Sequence, residues 1–194
     1  GLLEAINADD VLRNAAQQAA RPDAIKGQPN WVWDAFAGRE MLGRFGWKAN
    51  VATVAHQTAG AFRGDMGITS AQFPDESCTA AQKDCLAAPR GGPQGKTPNV
   101  EIDAETLGNV IFYESTLAPP ARRNARDPQV LRGQDLFTQA QCAVCHQPSY
   151  VTGASPLPQF SSPALHGQTI FPYTDLLLHD MGPELADGRP DFRA

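Results

Sequence analysis

The chain has 194 residues, of which 42% are hydrophobic and 19% are charged, a composition typical of a folded globular protein. The formal net charge is −5 and no run of basic residues occurs, so nucleic acid is excluded as the main partner. No apolar run approaches the ~20 residues that a membrane-spanning helix needs. The sequence opens without an initiator methionine or a signal-peptide pattern, so we interpret it as a processed or excised piece.

Two helices are predicted in the first third of the chain from capping residues and apolar spacing. Asn7 caps the first helix, and Pro22 ends it. Asn50 is predicted to cap the second helix, which Gly64 can stop. The segment 27–50 between them is rich in Gly and aromatic residues and has no clear period, so it is interpreted as an ordered loop.

Two further helices are predicted beyond a Pro- and Gly-rich loop at 70–99. Asp103 caps the third helix. Asp127 begins the fourth, with Pro128 at the first helical position, where its missing N–H is not needed. The fourth helix runs directly into a cysteine motif, and no later segment shows the alternation typical of a strand.

The motif is "QCAVCHQPSY", in which His146 directly follows the second of two cysteines, Cys142 and Cys145. This is the spacing of c-type haem attachment, where two thiols add to the vinyl groups of the porphyrin and the histidine becomes the proximal iron ligand. A ligating histidine needs an acceptor for its other ring nitrogen, and the carbonyl of Pro148 is the nearest candidate in sequence. The motif therefore predicts one covalently bound haem c, held by Cys142, Cys145 and His146.

Two other interpretations of the motif stay open. A zinc site would need two more ligands of similar type, and the other cysteines, Cys78 and Cys85, are too widely spaced for a standard zinc knuckle. A thioredoxin-like redox pair would follow a strand, whereas a predicted helix leads into this motif.

Cys78 and Cys85 form the second cysteine pair, in the polar stretch "ESCTAAQKDCLAAPRGG". Two cysteines on such a loop can close a small disulfide, which fits an oxidising compartment. The alternative is a pair of free thiols.

The residue opposite His146 on the iron would decide between enzyme and electron carrier. Met181, in "LLLHDMGPEL", is the candidate sixth ligand, because a thioether suits an electron carrier; the alternative is that it only packs beside the haem. His179 and Met66 are weaker ligand candidates. Glu114, Asp180 and His179 are the candidate acid–base groups, and no catalytic residue is assigned.

The remaining aromatic and histidine residues receive plainer interpretations. Trp31, Trp33 and Trp47 are interpreted as packing residues, with relay of electrons as the alternative. His56 lies on the flank of the second helix and is expected to be exposed or hydrogen-bonded.

Six stretches of the chain resemble one protein family: "GLLEAI", "GRFGWKAN", "HQTAGAFRGDMGITSAQFP", "LAPPARR", "CAVCH" and "PYTDLLLHDMGPELADGRP". They resemble the diheme c-type oxidoreductases, the so-called thiol oxidoreductases related to bacterial diheme cytochrome c peroxidases. The chain is most similar to the second haem-binding half. In addition, "VLRGQDLFTQAQCAVCH" resembles the opening helix of cytochrome c domains, with Gly133 and Phe137 one turn apart.

The resemblance implies a mainly α fold, with a cytochrome c-like haem core and an N-terminal helical, loop-rich extension. We expect the extension to span 1–118, a linker 119–126, and the haem domain 127–194. Since no C-terminal helix is evident after Met181, the haem domain is expected to be incomplete at its C-terminus.

The resemblance also implies a function. It predicts a peroxidase-like oxidoreductase that passes electrons through its covalent haem; the alternative is an electron-transfer module with no catalysis of its own. It further implies periplasmic location, a calcium ion whose ligands are not assigned, a small-molecule oxidant, and a redox partner protein or second haem domain.

Overall fold

The computed structural model describes residues 1–23, 26–93 and 99–185. The α-helices in these ranges are α1 (Ala8–Ala19), α2 (Val54–Met66), α3 (Lys83–Ala87), α4 (Ala104–Thr116) and α5 (Pro128–Gln139). The strands are β1 (Gly27–Gln28), β2 (Trp31–Asp34), β3 (Arg39–Leu42), β4 (Tyr150–Val151), β5 (Thr169–Ile170) and β6 (Leu178–His179). Among the described helices, none combines the length and apolar character that crossing a bilayer would require.

The starts of α4 and α5 are confirmed as predicted. The Asp103 carboxylate accepts the N–H of Thr106 at 2.8 Å, and the Asp127 carboxylate accepts the N–H of Gln129 at 2.8 Å. Pro128 occupies the first turn of α5. These caps satisfy helix N–H groups that have no partner inside the helix.

The predicted cap of α2 is wrong by one turn. Thr53, not Asn50, precedes the helix, and its hydroxyl accepts the N–H of His56 at 3.1 Å. The helix also runs past Gly64 and ends at Gly67, whose φ of 67° is the left-handed conformation that glycine adopts without strain. Asn50 and Thr53 are both plausible capping residues, but only Thr53 also donates its hydroxyl to the buried Asp34 carboxylate.

The mainly α fold class is wrong. Of the described residues, about 38% are helical when the short 3-10 turns are included, and 11% are in strands that form small antiparallel sheets. A cytochrome c-like, mainly helical architecture therefore does not describe the structure. The pairs are β1 with β6, β2 with β3, and β4 with β5. Strands of two to four residues are too short to show a period, and the partners β1 and β6 lie far apart in sequence.

The hairpin of β2 and β3 replaces part of the expected loop at 27–50. Its register runs from Trp31 opposite Leu42 to Asp34 opposite Arg39. Asp34 is fully buried, and its carboxylate accepts the Thr53 hydroxyl at 2.6 Å. The hairpin is thereby fixed to the start of α2.

The core consists of two apolar clusters. The first joins α2 to α4 and contains Val54, Ala55, Ala59, Ile102, Leu107, Ile111 and Leu157. The second joins the N-terminal segment and α1 to the chain beyond the cysteine motif, and contains Ile6, Val11, Leu42, Tyr150, Ile170 and Leu176. The second cluster brings residues from 1–118 against residues from 127–194, while the division of the chain at 119–126 stays a prediction.

Candidate functional site

The cysteine motif follows α5 through a sharp change in chain direction. Gln141 adopts the left-handed conformation, with φ of 60°, and the next residues form a tight turn over Cys142–Val144. The N–H of His146 donates to the carbonyl of Cys142 at 2.9 Å, which closes this turn. Both cysteines are half-buried and unpaired, so both thiols are available for modification on one turn of chain.

The hydrogen bond of His146 fixes its ring. Nδ1 lies 3.0 Å from the backbone carbonyl of Tyr173, not from that of Pro148, so the predicted acceptor is wrong. A carbonyl only accepts, so Nδ1 carries a proton, and in the neutral ring the lone pair therefore lies on Nε2. The Phe137 ring packs edge-on against both partners, with centroids 6.2 Å from His146 and 5.4 Å from Tyr173.

A cavity of about 470 Å³ opens beside the motif. Its lining includes Cys142, Cys145, His146, Trp47, Lys48, His179 and Met181. The structure therefore brings the three motif residues together with both downstream ligand candidates. It also adds Trp47, which was interpreted from the sequence as a packing residue with electron relay as the alternative, and Lys48, which no sequence feature singled out.

Asp175 links this cavity to the rest of the fold. The residue is only 3% exposed, and its backbone N–H donates to the carbonyl of Cys145 at 3.0 Å. Its carboxylate accepts Nε2–H of Gln18 at 2.7 Å and is 2.8 Å from Nε2 of His179. Gln18 also donates to the carbonyl of Val144 at 2.8 Å, so α1 holds the motif backbone directly.

Sequence reasoning missed Asp175 and Gln18. Asp175 opens the apolar run "TDLLLH", and a lone carboxylate at such a place, four residues before a histidine, is the signal that could have found it. Gln18 lies on an ordinary polar helix, and only the tertiary structure shows its role.

The potential ligand atoms of Cys145, Asp175 and His179 lie within 4.8 Å of one another. Burial raises the pKa of the Cys145 thiol, and the negative charge of the Asp175 carboxylate raises it further. The sulfur is therefore held as a neutral thiol. Calcium prefers about six to eight oxygen ligands, and in this set only the Asp175 carboxylate supplies oxygen, so the calcium ligands stay unassigned.

The other predicted residues lie in varied surroundings. Cys78 and Cys85 form a disulfide with a Cα–Cα distance of 5.9 Å. Glu114 accepts a hydrogen bond from the Thr58 hydroxyl between α4 and α2. Asp180 is exposed and accepts the N–H of Gly182, and Met66 is exposed at the end of α2.

The donor set of the cavity fits a covalently attached haem. It supplies two thiols on one turn and an imidazole whose neutral tautomer leaves the lone pair on Nε2, as a c-type haem requires. It also supplies a polarising acceptor behind the imidazole, the feature that accompanies metal-bound histidines. The arrangement thus supplies the donors that the predicted c-type haem site would need.

The family comparison agrees with this class of site. A family described as "Di-haem oxidoreductase, putative peroxidase" matches residues 1–194, so the chain belongs to the di-haem oxidoreductase family. The family resemblance expected from the sequence is therefore confirmed. The family name implies two haems, whereas this chain carries one Cys-x-x-Cys-His motif. Searches of curated proteins and of solved structures found no match to the chain.

Proposed function

We propose that this chain is a c-type haem redox protein that acts as a peroxidase-like oxidoreductase. Cys142 and Cys145 would hold one haem through thioether bonds, and Nε2 of His146 would be the proximal iron ligand. When bound, the haem supplies an iron that changes its oxidation state and so carries electrons. The observation that supports this most strongly is the hydrogen bond from Nδ1 of His146 to the Tyr173 carbonyl.

The residues around the motif have positioning roles in this proposal. The Tyr173 carbonyl keeps the proton on Nδ1 and increases the basicity of Nε2. Gln18 and Asp175 bind the carbonyls of Val144 and Cys145, so the backbone between the two sulfurs cannot rotate freely. Burial raises the pKa of the Cys145 thiol.

His179 is the acid–base candidate within the cavity. Its Nε2 is hydrogen-bonded to the buried carboxylate of Asp175, which orients the ring as a carboxylate orients a catalytic histidine. A small-molecule oxidant would enter the same cavity. Glu114 lies in the packing between α2 and α4 and is not assigned a role in the reaction.

The second candidate function is an electron-transfer module with no catalysis of its own. Met181 favours it, because this residue lines the same cavity as His146 and carries a thioether sulfur. In that case Met181 would be the sixth iron ligand. The electrons would pass to a second haem domain or a redox partner protein.

The proposed location is the periplasm. Covalent haem attachment and the Cys78–Cys85 disulfide both suit an oxidising compartment outside the cytoplasm.

Haem attachment is tested with protein exported from a host that matures c-type cytochromes. We expect one haem per chain, retained after denaturing electrophoresis and with the pyridine haemochrome spectrum of thioether-linked haem. The double variant Cys142→Ala/Cys145→Ala should lose this covalent haem. The matched control Cys78→Ala/Cys85→Ala removes the other cysteine pair and should keep it; covalent haem in the first variant would refute the proposal.

The two candidate functions are separated by carbon monoxide and peroxide. A reduced haem spectrum that shifts with carbon monoxide, together with hydrogen peroxide reduction by a small electron donor, would support the peroxidase-like enzyme. A spectrum that shifts only in Met181→Leu would support the electron-transfer module, because Met181 would then hold the sixth position.

A further inference from the structure

A second cleft, of about 530 Å³, lies next to the cavity beside the cysteine motif, which is the proposed haem site. Trp47 and Lys48 line both spaces. We propose that this cleft binds a small organic anion that carries an aromatic ring, such as an aromatic carboxylate. The proposal deepens the proposed function, on which it rests for the neighbouring haem, by naming a class of ligand that would bind beside it.

The charges of the cleft favour an anion. Lys48 and Arg63 line it, and among the described lining residues there is no carboxylate, although the chain as a whole carries a net charge of −5. Arg63 donates to the backbone carbonyls of Asp75 at 2.6 Å and Glu76 at 3.4 Å, which are uncharged acceptors. The Asp75 carboxylate is paired with Arg90 at 2.6 Å. A carboxylate ligand would therefore meet the guanidinium of Arg63, which bonds these uncharged acceptors.

The neutral donors of the cleft point to the same class of ligand. The backbone N–H of Ala35 donates to Nδ1 of His56 at 3.2 Å, so the proton of the neutral ring lies on Nε2. Burial lowers the pKa of His56, which keeps the ring neutral near pH 7. Both His56 and the amide of Gln57 can then donate to a carboxylate oxygen.

Aromatic residues form two parts of the wall. The Phe73 ring lies 5.2 Å from the His56 ring, and Trp47 is fully exposed to solvent. Trp47 is carried on an ordered turn, because the Asn30 amide donates to the carbonyls of Lys48 and Ala49, each at 3.2 Å. A large apolar side chain held outward in this way offers a planar surface to a planar ring.

Gly60 keeps the floor of the cleft open. It lies within α2, lines the cleft, and has no described atom within 4 Å of the position that a Cβ would take. Glycine inside a helix is unfavourable relative to alanine, and no packing contact at this position requires it. Gly64, one turn later in α2, has equally open surroundings but does not line the cleft, which makes it a matched control.

The test is a calorimetric titration of the haem-loaded protein with benzoate. We expect saturable binding, with benzyl alcohol, the uncharged analogue, at least about tenfold weaker, because a charge-assisted hydrogen bond contributes that much. Gly60→Leu should fill the cleft and weaken benzoate binding at least about tenfold, whereas Gly64→Leu should keep the wild-type affinity. Leucine is a good helix former, so both variants should keep α2.

The outcomes separate this proposal from the proposed function. Normal haem content with no benzoate binding, equal affinity for the two probes, or an unchanged affinity in Gly60→Leu would each overturn the cleft proposal alone. Benzoate binding in a chain that attaches no haem would refute the proposed function and leave the cleft site supported.

Discussion

The region of α2 and α4 and the region of α5 and the cysteine motif are built differently. Val54, Ala55, Leu107 and Ile111 are buried between α2 and α4. In contrast α5, which the structure describes in full, has no buried residue, and its apolar side chains, such as Leu131, are exposed. The residues with the clearest chemistry therefore follow a helix that has no buried residue.

The motif is held by hydrogen bonds from neighbouring segments instead of by a core of its own. Gln18 binds the Val144 carbonyl, and the N–H of Asp175 binds the Cys145 carbonyl. The contrast teaches that folding stability and site geometry have separate structural sources in this chain. Variants in one region should therefore affect one property far more than the other.

The largest expected effect is from Ile111→Ala. Ile111 is 1% exposed, so the truncation leaves a cavity between α2 and α4, and the free energy of unfolding should fall by about 2–5 kcal/mol. Leu131→Ala, the matched truncation on exposed α5, should stay within about 0.5 kcal/mol of wild type. Denaturant unfolding of both variants measures the difference. An equal loss of unfolding free energy in the two variants would contradict the conclusion that α5 contributes little to stability.

Asp175 connects the motif to other segments of the chain, and an intermediate effect is expected from Asp175→Asn. The carboxylate accepts from Gln18 and His179 at Oδ2 and from the Leu177 N–H at Oδ1. In either orientation the NH2 group of an asparagine would face a donor, so the variant should lose about 1–3 kcal/mol of unfolding free energy. It should also alter the haem spectrum, because Gln18 binds the motif backbone. Asp180→Asn, at an exposed site, is the control; identical unfolding curves for the two variants would contradict the bridging role of Asp175.

The smallest effect is a pH dependence that belongs to the α2 region. Burial lowers the pKa of His56 in the folded chain, while Asp34 partly opposes the shift, so the unfolded chain binds a proton more readily. The contribution of His56 to stability is thus complete above about pH 6.5 and is lost as the pH falls from there through the folded pKa. Because one proton is involved, the free energy of unfolding should change by no more than about 1.4 kcal/mol per pH unit.

This dependence is measured by unfolding between neutral and mildly acidic pH. His56→Gln should flatten the curve over that interval. As a control, substitution of the exposed His166 by Gln should leave the pH dependence of the unfolding free energy as in wild type. If the pH dependence persists in His56→Gln, it arises from another group.

Local features of the fold were predictable from the sequence, and contacts between distant residues were not. The caps at Asp103 and Asp127 depend only on residues within one turn, and the spacing of the cysteine motif is local as well. The start of α2 was placed too early, because Thr53 is selected by the distant Asp34. The pairing of β1 with β6 likewise joins strands that no local pattern connects.

The candidate site shows the same limit. The three motif residues were evident, whereas the acceptor for His146 was expected beside it at Pro148 and is the distant Tyr173. Asp175 and Gln18 were missed because their roles arise from tertiary contacts. A buried carboxylate in an apolar run was the one available sequence signal.

The acceptor that orients His146 belongs to the main chain, and this affects how the site can evolve. Every amino acid at position 173 carries the same carbonyl, so a missense change there cannot delete the acceptor. Tyr173 has a φ of 52°, a conformation that glycine or asparagine tolerates and that β-branched residues strongly disfavour. For the protonation of His146, natural selection at position 173 therefore acts on the backbone conformation and not on the chemistry of the side chain.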